Sequence, residues 1–183
     1  TKSGEAGLEL GLFSNRATLD ATYYSKATTN QIIPVSLSTT TGYTQRYINA
    51  GKMTNKGFEA SLAVTPIRMA NGFEWNTTFN YAHNVNKLVT LYPGLNTIVL
   101  GASWTANTEA RAGYPYGVIF ANAQLRDANG NLLLSNGLPQ SDPTRRVLGN
   151  IQPKWTGGWS NEVRFKSITA SALLDIHRGG NIV

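Results

Sequence analysis

The sequence contains no cysteine, which excludes disulfide frameworks, thiol nucleophiles and thiolate metal sites and leaves the redox compartment open. Nor does it hold a run of about 18 consecutive apolar residues, the length that a membrane-spanning helix needs. Its 41% hydrophobic content is spread evenly along 183 residues. The opening Thr1, Lys2, Ser3, Gly4 shows neither an initiator Met nor a charged-then-apolar signal pattern, so the chain is expected to start inside a longer protein or after processing. Charge is sparse: 14% of residues, with 16 basic against 10 acidic side chains and a net +6. The basic residues are scattered, with Arg145 and Arg146 the only adjacent pair, so no nucleic-acid partner is expected. What is abundant is Gly (18 residues), together with Thr, Asn, Ser and interspersed aromatics. That mixture favours an all-β chain rich in turns.

Alternation locates the strands. Ala6, Leu8, Leu10 and Leu12 alternate with Glu5, Gly7, Glu9 and Gly11, and after a turn at 14 to 16, Ala17, Leu19, Ala21 and Tyr23 alternate with Thr18, Asp20, Thr22 and Tyr24. This period of two is that of a strand. A second pair sets Phe58, Ala60, Leu62 and Val64 against Gly57, Glu59, Ser61 and Ala63. Beyond an Asn71-Gly72 turn it sets Phe73, Trp75, Thr77, Phe79 and Tyr81 against Glu74, Asn76, Thr78, Asn80 and Ala82. Asn-Gly is a strong hairpin signal because both residues tolerate positive φ. A third pair runs from Trp155 to Phe165 and from Ile168 to His177 around a turn at Lys166 and Ser167. Strands are thus expected near 5–13, 17–26, 57–66, 73–84, 155–165 and 168–177.

Across these ranges Glu5, Glu9, Asp20, Glu59, Glu74, Glu162, Arg164 and Asp175 share one face, and the other face carries no charge. Lipid imposes such an asymmetry, since an Arg or Lys at the bilayer midplane costs about 2–4 kcal/mol. The expected strands, at about nine or ten residues, are long enough to cross the hydrocarbon core with a tilt. Phe13, Phe73 and Phe165 fall beside the short turns, and Tyr23, Phe58, Tyr81 and Trp155 toward the opposite ends. Two aromatic girdles of this kind mark the two headgroup levels. Tight turns at one end contrast with long connections at 27–56 and 87–154, expected to be extracellular loops. The fold class read here is therefore an antiparallel transmembrane β-barrel segment of about six strands in three hairpins. Six strands do not close a membrane barrel, whose smallest bacterial forms have about eight, so the segment is expected to be part of a larger one. The competing reading is a soluble β-sandwich binding module or adhesin, in which the same aromatics would fill a core.

Several stretches resemble the SusC/RagA family of TonB-linked outer-membrane proteins: Leu19-Asp-Ala-Thr-Tyr-Tyr-Ser-Lys26, Asn49-Ala-Gly51 with Asn55-Lys-Gly-Phe-Glu59, Gly113-Tyr-Pro-Tyr-Gly117, and Leu148-Gly-Asn-Ile-Gln-Pro-Lys-Trp155 with Gly157 and Gly158. The resemblance covers nearly the whole chain. It implies a barrel of about 22 strands in the bacterial outer membrane, import of large nutrients such as oligosaccharides or peptides, a SusD-like surface lipoprotein as partner, and energy from the TonB complex. TonB would be contacted through parts of the protein outside this sequence. No plug, no TonB-contact segment and no closing C-terminal strand is recognised in these residues.

Catalysis has little support. His83 and His177 sit near strand ends without a metal-ligand pattern around them. Glu59, Glu74 and Glu162 would suit a paired-carboxylate hydrolase, but carboxylates line the wet face of any such barrel. Asp127-Ala-Asn-Gly-Asn131 lacks the downstream Glu of a calcium loop, and Asn129-Gly130 fits a hairpin turn better. No catalytic residue, metal or cofactor is expected. The candidate binding residues are Trp104, Tyr114, Tyr116 and Phe120 in the longer connection and Tyr43 in the other. Their rings suit stacking on sugars or gripping peptides, docking a lipoprotein, or packing the loop's own core.

Overall fold

The computed structural model describes residues 1–36, 42 and 45–182. Every regular element among them is a β-strand: β1 (Lys2–Leu12), β2 (Ala17–Ser36), β3 (Gln45–Arg68), β4 (Phe73–Thr90), β5 (Thr97–Ser103), β6 (Ala106–Arg111), β7 (Val118–Gln124), β8 (Leu134–Ser135), β9 (Leu138–Pro139), β10 (Ser141–Asn150), β11 (Pro153–Phe165) and β12 (Ile168–Gly179). The chain separates into two compact units, one of Thr1–Thr28, Thr54–Asn86 and Pro153–Gly179, the other of Thr29–Met53, Lys87–Gln152 and Gly180–Val183.

The first unit belongs to a six-stranded sheet in the order β1-β2-β3-β4-β11-β12. Its register carries the alternation into three dimensions. On one side Leu8 faces Ala21 and Leu10 faces Leu19, while Glu9 faces Asp20 on the other. Trp159 lies between Phe79 and Leu174, Val163 between Trp75 and Ala170, and Phe165 between Phe73 and Ile168. On the reverse, Gly158 lies between Asn80 and Asp175, and Glu162 between Asn76 and Ser171. A slip of one residue in any pairing would put carboxylates among the rings.

Short turns close the hairpins. Phe13, Ser14 and Asn15 all take left-handed φ values of 56–62° before Arg16 N–H donates back to Phe13 O. At Met69–Gly72 only Gly72 is left-handed (φ 88°), and the Asn71 side chain instead accepts the Phe73 amide at 3.0 Å. The Asn-Gly pair therefore turns the chain with one positive φ and an Asx bond rather than with two positive φ values. Lys166 (φ 52°) turns the third hairpin.

The segments expected as loops, 27–56 and 87–154, are largely strand. β2 continues to Ser36, β3 begins at Gln45, β4 reaches Thr90, and β5 to β10 occupy much of the second segment. Alternation did not mark them, because it reveals a strand only where one side faces an apolar medium. Asn30 (φ 57°) and Gly51 (φ 87°) also interrupt the pattern while strand pairing goes on.

In the second unit β10, β7, β6 and β5 form a four-stranded sheet in that order. Leu88, Leu91 and Ala110 make a small core, with Met53, Leu95, Ile98 and Tyr116 packed against it. Residues 125–140 fold back twice. Leu125 N–H donates to Gln140 O and Leu133 N–H to Leu125 O, and β8 pairs with β9 across Asn136 and Gly137, both left-handed.

Candidate functional site

The polar side of the six-stranded sheet is a shallow, solvent-open concavity of about 560 Å³ whose lining includes Asp20, Thr22, Glu59, Ser61, Asn80 and Asp175. Neutral side chains bridge its strands: Ser61 Oγ donates to Asn80 Oδ1 at 3.0 Å and Thr65 Oγ1 to Asn76 Oδ1 at 2.7 Å. Near the short turns Glu74 accepts from Arg68, Asn76 and Arg164. His177 is bonded to Asp175 at 3.0 Å, and His83 to the Lys154 carbonyl. These are wall contacts, and among the described residues no group of three or more metal-ligating side chains comes together.

Gly57 explains one of the motifs. A Cβ at this position would collide with the ring of Tyr24 and approach His83 O to 2.8 Å. The Tyr24 ring thus occupies the space that a side chain would need, an aromatic covering of a strand glycine that permits local bending.

The apolar side hides its few polar groups. Trp75 Nε1 donates to Asn161 Oδ1 at 3.2 Å, Trp159 Nε1 to Thr77 Oγ1 at 2.8 Å, and Thr77 Oγ1 in turn to Ser160 O. Phe79 and Trp159 stack with ring centroids 5.6 Å apart. Phe58, Tyr81 and Trp155 form a chain of tilted rings. In the register Lys2 (opposite Ala27) and Arg178 (opposite Trp155) share this side, but only beyond or beside that aromatic level. Long basic side chains at such a level can reach polar surroundings while their stems stay in apolar ones.

The candidate binding residues have different surroundings. Trp104 is fully exposed in the turn between β5 and β6, and Tyr114 is half exposed. Tyr116 packs against the small core. Phe120 lies beneath Arg111, whose Cζ is 4.0 Å from the ring centre, with Arg145 at 5.3 Å. Tyr43 lies outside the described residues. Glu109, within the segment expected as a loop, is buried and accepts from Asn107 and from Arg111 at 2.9 Å. Arg145 donates to the Phe120 carbonyl at 2.7 Å. The Asn107, Glu109, Arg111 spacing is the one sequence signal that would have revealed this cluster, since alternate residues of a strand share a side.

Two motifs meet in this unit. Gly113 N–H donates to Leu88 O, Leu88 N–H to Tyr114 O, and Ile151 N–H to Gly117 O. Asn150 Nδ2 donates to Tyr116 O and Asn150 Oδ1 accepts the Gln152 amide. Gly117 is left-handed (φ 83°), and a Cβ there would lie 2.6 Å from Ile151 Cγ1. At the other turn, hydrogen bonds from the Asn131 side chain and backbone, then from the Asn129 and Gly130 amides, hold the Asp127 carboxyl below the usual carboxylate range.

Comparison with known proteins agrees with this wall. A family model described as TonB dependent receptor-like, beta-barrel, matches residues 1–172. This chain belongs to the TonB-dependent receptor β-barrel family. Such receptors are outer-membrane proteins, so the polar concavity is the inner wall of a barrel and the ring-bearing side faces lipid. TonB-dependent receptor P3 of Formosa agariphila is 26% identical over 208 residues, covering 100% of this chain and 21% of that protein. TonB-dependent receptor P39 of the same organism is 34% identical over 85 residues, covering 46% of this chain and 8% of the relative. A solved structure of the RagAB peptide transporter matches with a TM-score of 0.73 and 25% identity, covering 94% of this chain and 20% of that one. The RagAB peptide importer in its closed-closed state matches with a TM-score of 0.76 at 24% identity, over 97% of this chain and 21% of that one. The likeness to RagAB accords with the SusC/RagA resemblance of the motifs. The chain spans about a fifth of the length of the receptor P3 and RagAB chains that it matches.

Proposed function

We propose that this segment is part of the wall of a TonB-dependent importer that carries large nutrients, peptides or oligosaccharides, across the outer membrane with a SusD-like surface lipoprotein. The observation that carries the reading is the segregation of charge in a paired register, which matches a wet interior and a lipid-facing exterior, on a chain of this family. Solved relatives titled as RagAB peptide transporters favour peptides among the cargoes. Coupling to TonB runs through parts of the parent protein outside these residues.

In this reading residues 27–56 and 87–154 are extracellular. Trp104 and Tyr114 offer rings to cargo or lipoprotein, because theirs are the exposed rings among the described members of the candidate set. Tyr116 and Phe120 hold the unit together through the core and the two guanidinium groups. The test is uptake of a labelled peptide mixture by cells making the full-length parent, with and without TonB. Uptake should require TonB, and the Trp104→Ala, Tyr114→Ala double variant should lower uptake or lipoprotein co-purification severalfold at an unchanged amount of inserted barrel. Uptake that is indifferent to TonB would overturn the importer. Normal uptake and co-purification in the double variant would remove the two rings from the site.

A further inference from the structure

The two edges of the four-stranded sheet are built differently. Edge β10 carries Asp142, Pro143, Arg145 and Arg146. Its pairing with β7 breaks between Ser141 and Arg145, and its far end is bonded to Asn181. Charge, proline and irregular pairing are the devices by which strands discourage added partners. Edge β5 has only the single irregularity between Val99 and Gly101. No charged residue occurs from Leu88 to Thr108, residues 99–103 are exposed, and among the described residues β5 pairs with β6 alone.

The hairpin fixes which of its backbone groups are open. Ser103 and Ala106 close a turn of two residues, Trp104 and Thr105. The closing pair of such a hairpin exchanges hydrogen bonds, and bonded and non-bonded pairs alternate along an antiparallel ladder. Ala102, the next residue, therefore turns its N–H and C=O away from β6. The exposed Val99 and Leu100 lie on one flank of this stretch and the Trp104 ring on the other.

From this geometry we infer that the open edge of β5 receives an extended stretch of peptide cargo as an added strand, held by main-chain hydrogen bonds at and around Ala102. The inference rests on the importer reading and narrows its cargo. An extended peptide supplies donors and acceptors at the strand repeat, which a sugar chain does not, and main-chain pairing accepts many sequences. The lack of charge on β5 removes the usual obstacle to a neutral strand.

The test uses the purified full-length parent and a fluorescent, end-capped Thr-Val-Thr-Val-Thr-Val peptide. Two versions are compared, each N-methylated on one alternate set of residues. One version should bind like the parent peptide and the other at least tenfold more weakly, because only one set of amides faces the edge. Ala102→Pro, which removes an outward N–H, should also weaken binding at least tenfold, whereas Ala102→Val should not. Equal binding of the two methylated versions, no binding of the unmethylated peptide, or an Ala102 amide already protected from hydrogen exchange in the ligand-free parent would each overturn the inference. TonB-dependent uptake measured in parallel keeps the importer reading separate: it can stand when edge pairing fails.

Discussion

Asn161 stands on a side of the sheet that faces hydrocarbon, where an unpaired amide oxygen is costly. The Trp75 indole answers it from the neighbouring strand, and Trp159 does the same for Thr77. Trp75→Phe removes the donor and leaves the acceptor. Such an orphan costs about 1–3 kcal/mol, so urea unfolding of the refolded parent should shift to lower denaturant, and adding Asn161→Leu should recover most of the loss. No shift in the single variant would mean that the bond contributes nothing. At this scale the sequence was partly legible. The side on which Trp75, Thr77 and Asn161 lie followed from alternation. The partner of each did not, because Trp75 and Asn161 are 86 residues apart and their juxtaposition depends on which strands are neighbours.

Strands are where charge and medium meet. Leu62 on β3 lies on the side facing lipid and Ser61 on the side facing the lumen, although they are adjacent in sequence. An Arg at Leu62 would carry its guanidinium toward hydrocarbon, at about 2–4 kcal/mol if it lies near the midplane, while an Arg at Ser61 would meet water and the carboxylates of Glu59 and Asp20. Leu62→Arg should therefore lower the yield of heat-modifiable, inserted parent barrel well below that of Ser61→Arg, despite loss of the Ser61–Asn80 hydrogen bond in the latter. Equal yields would contradict the assignment of faces. The strands that face lipid were readable for this same reason. The ends of β2, β3 and β4 and the whole of β5 to β10 were not, since composition there follows no apolar side and their pairing is set by turns and buried polar groups such as Glu109.

For the whole molecule the contrast between short turns and long excursions sets direction across the membrane. The short turns at 13–16, 69–72 and 166–167 should face the periplasm, and the hairpin containing Leu138, which is largely exposed, should face the outside. This segment has no cysteine of its own, so single replacements report cleanly in a parent cleared of any cysteine elsewhere. Leu138→Cys in the parent should react with a membrane-impermeant maleimide on intact cells, and Met69→Cys only after lysis. The reverse pattern would invert the topology. The candidate aromatic residues read alike in the sequence, and the division among the described ones comes from the structure. Trp104 and Tyr116 read alike in a loop, and only packing distinguishes an exposed indole from a phenol set against Leu88, Leu91 and Ala110.

β4 and β11 are hydrogen-bonded neighbours, Phe73 opposite Phe165 and Ala82 opposite Thr156, although the chain between them leaves to build β5 through β10 before it returns. Their register is fixed by side chains that belong to the two strands themselves. The wall thus fixes where the excursion departs and where it comes back. The membrane-crossing pair can therefore keep its register whatever the length of the stretch between them, as a socket accepts cartridges of different size.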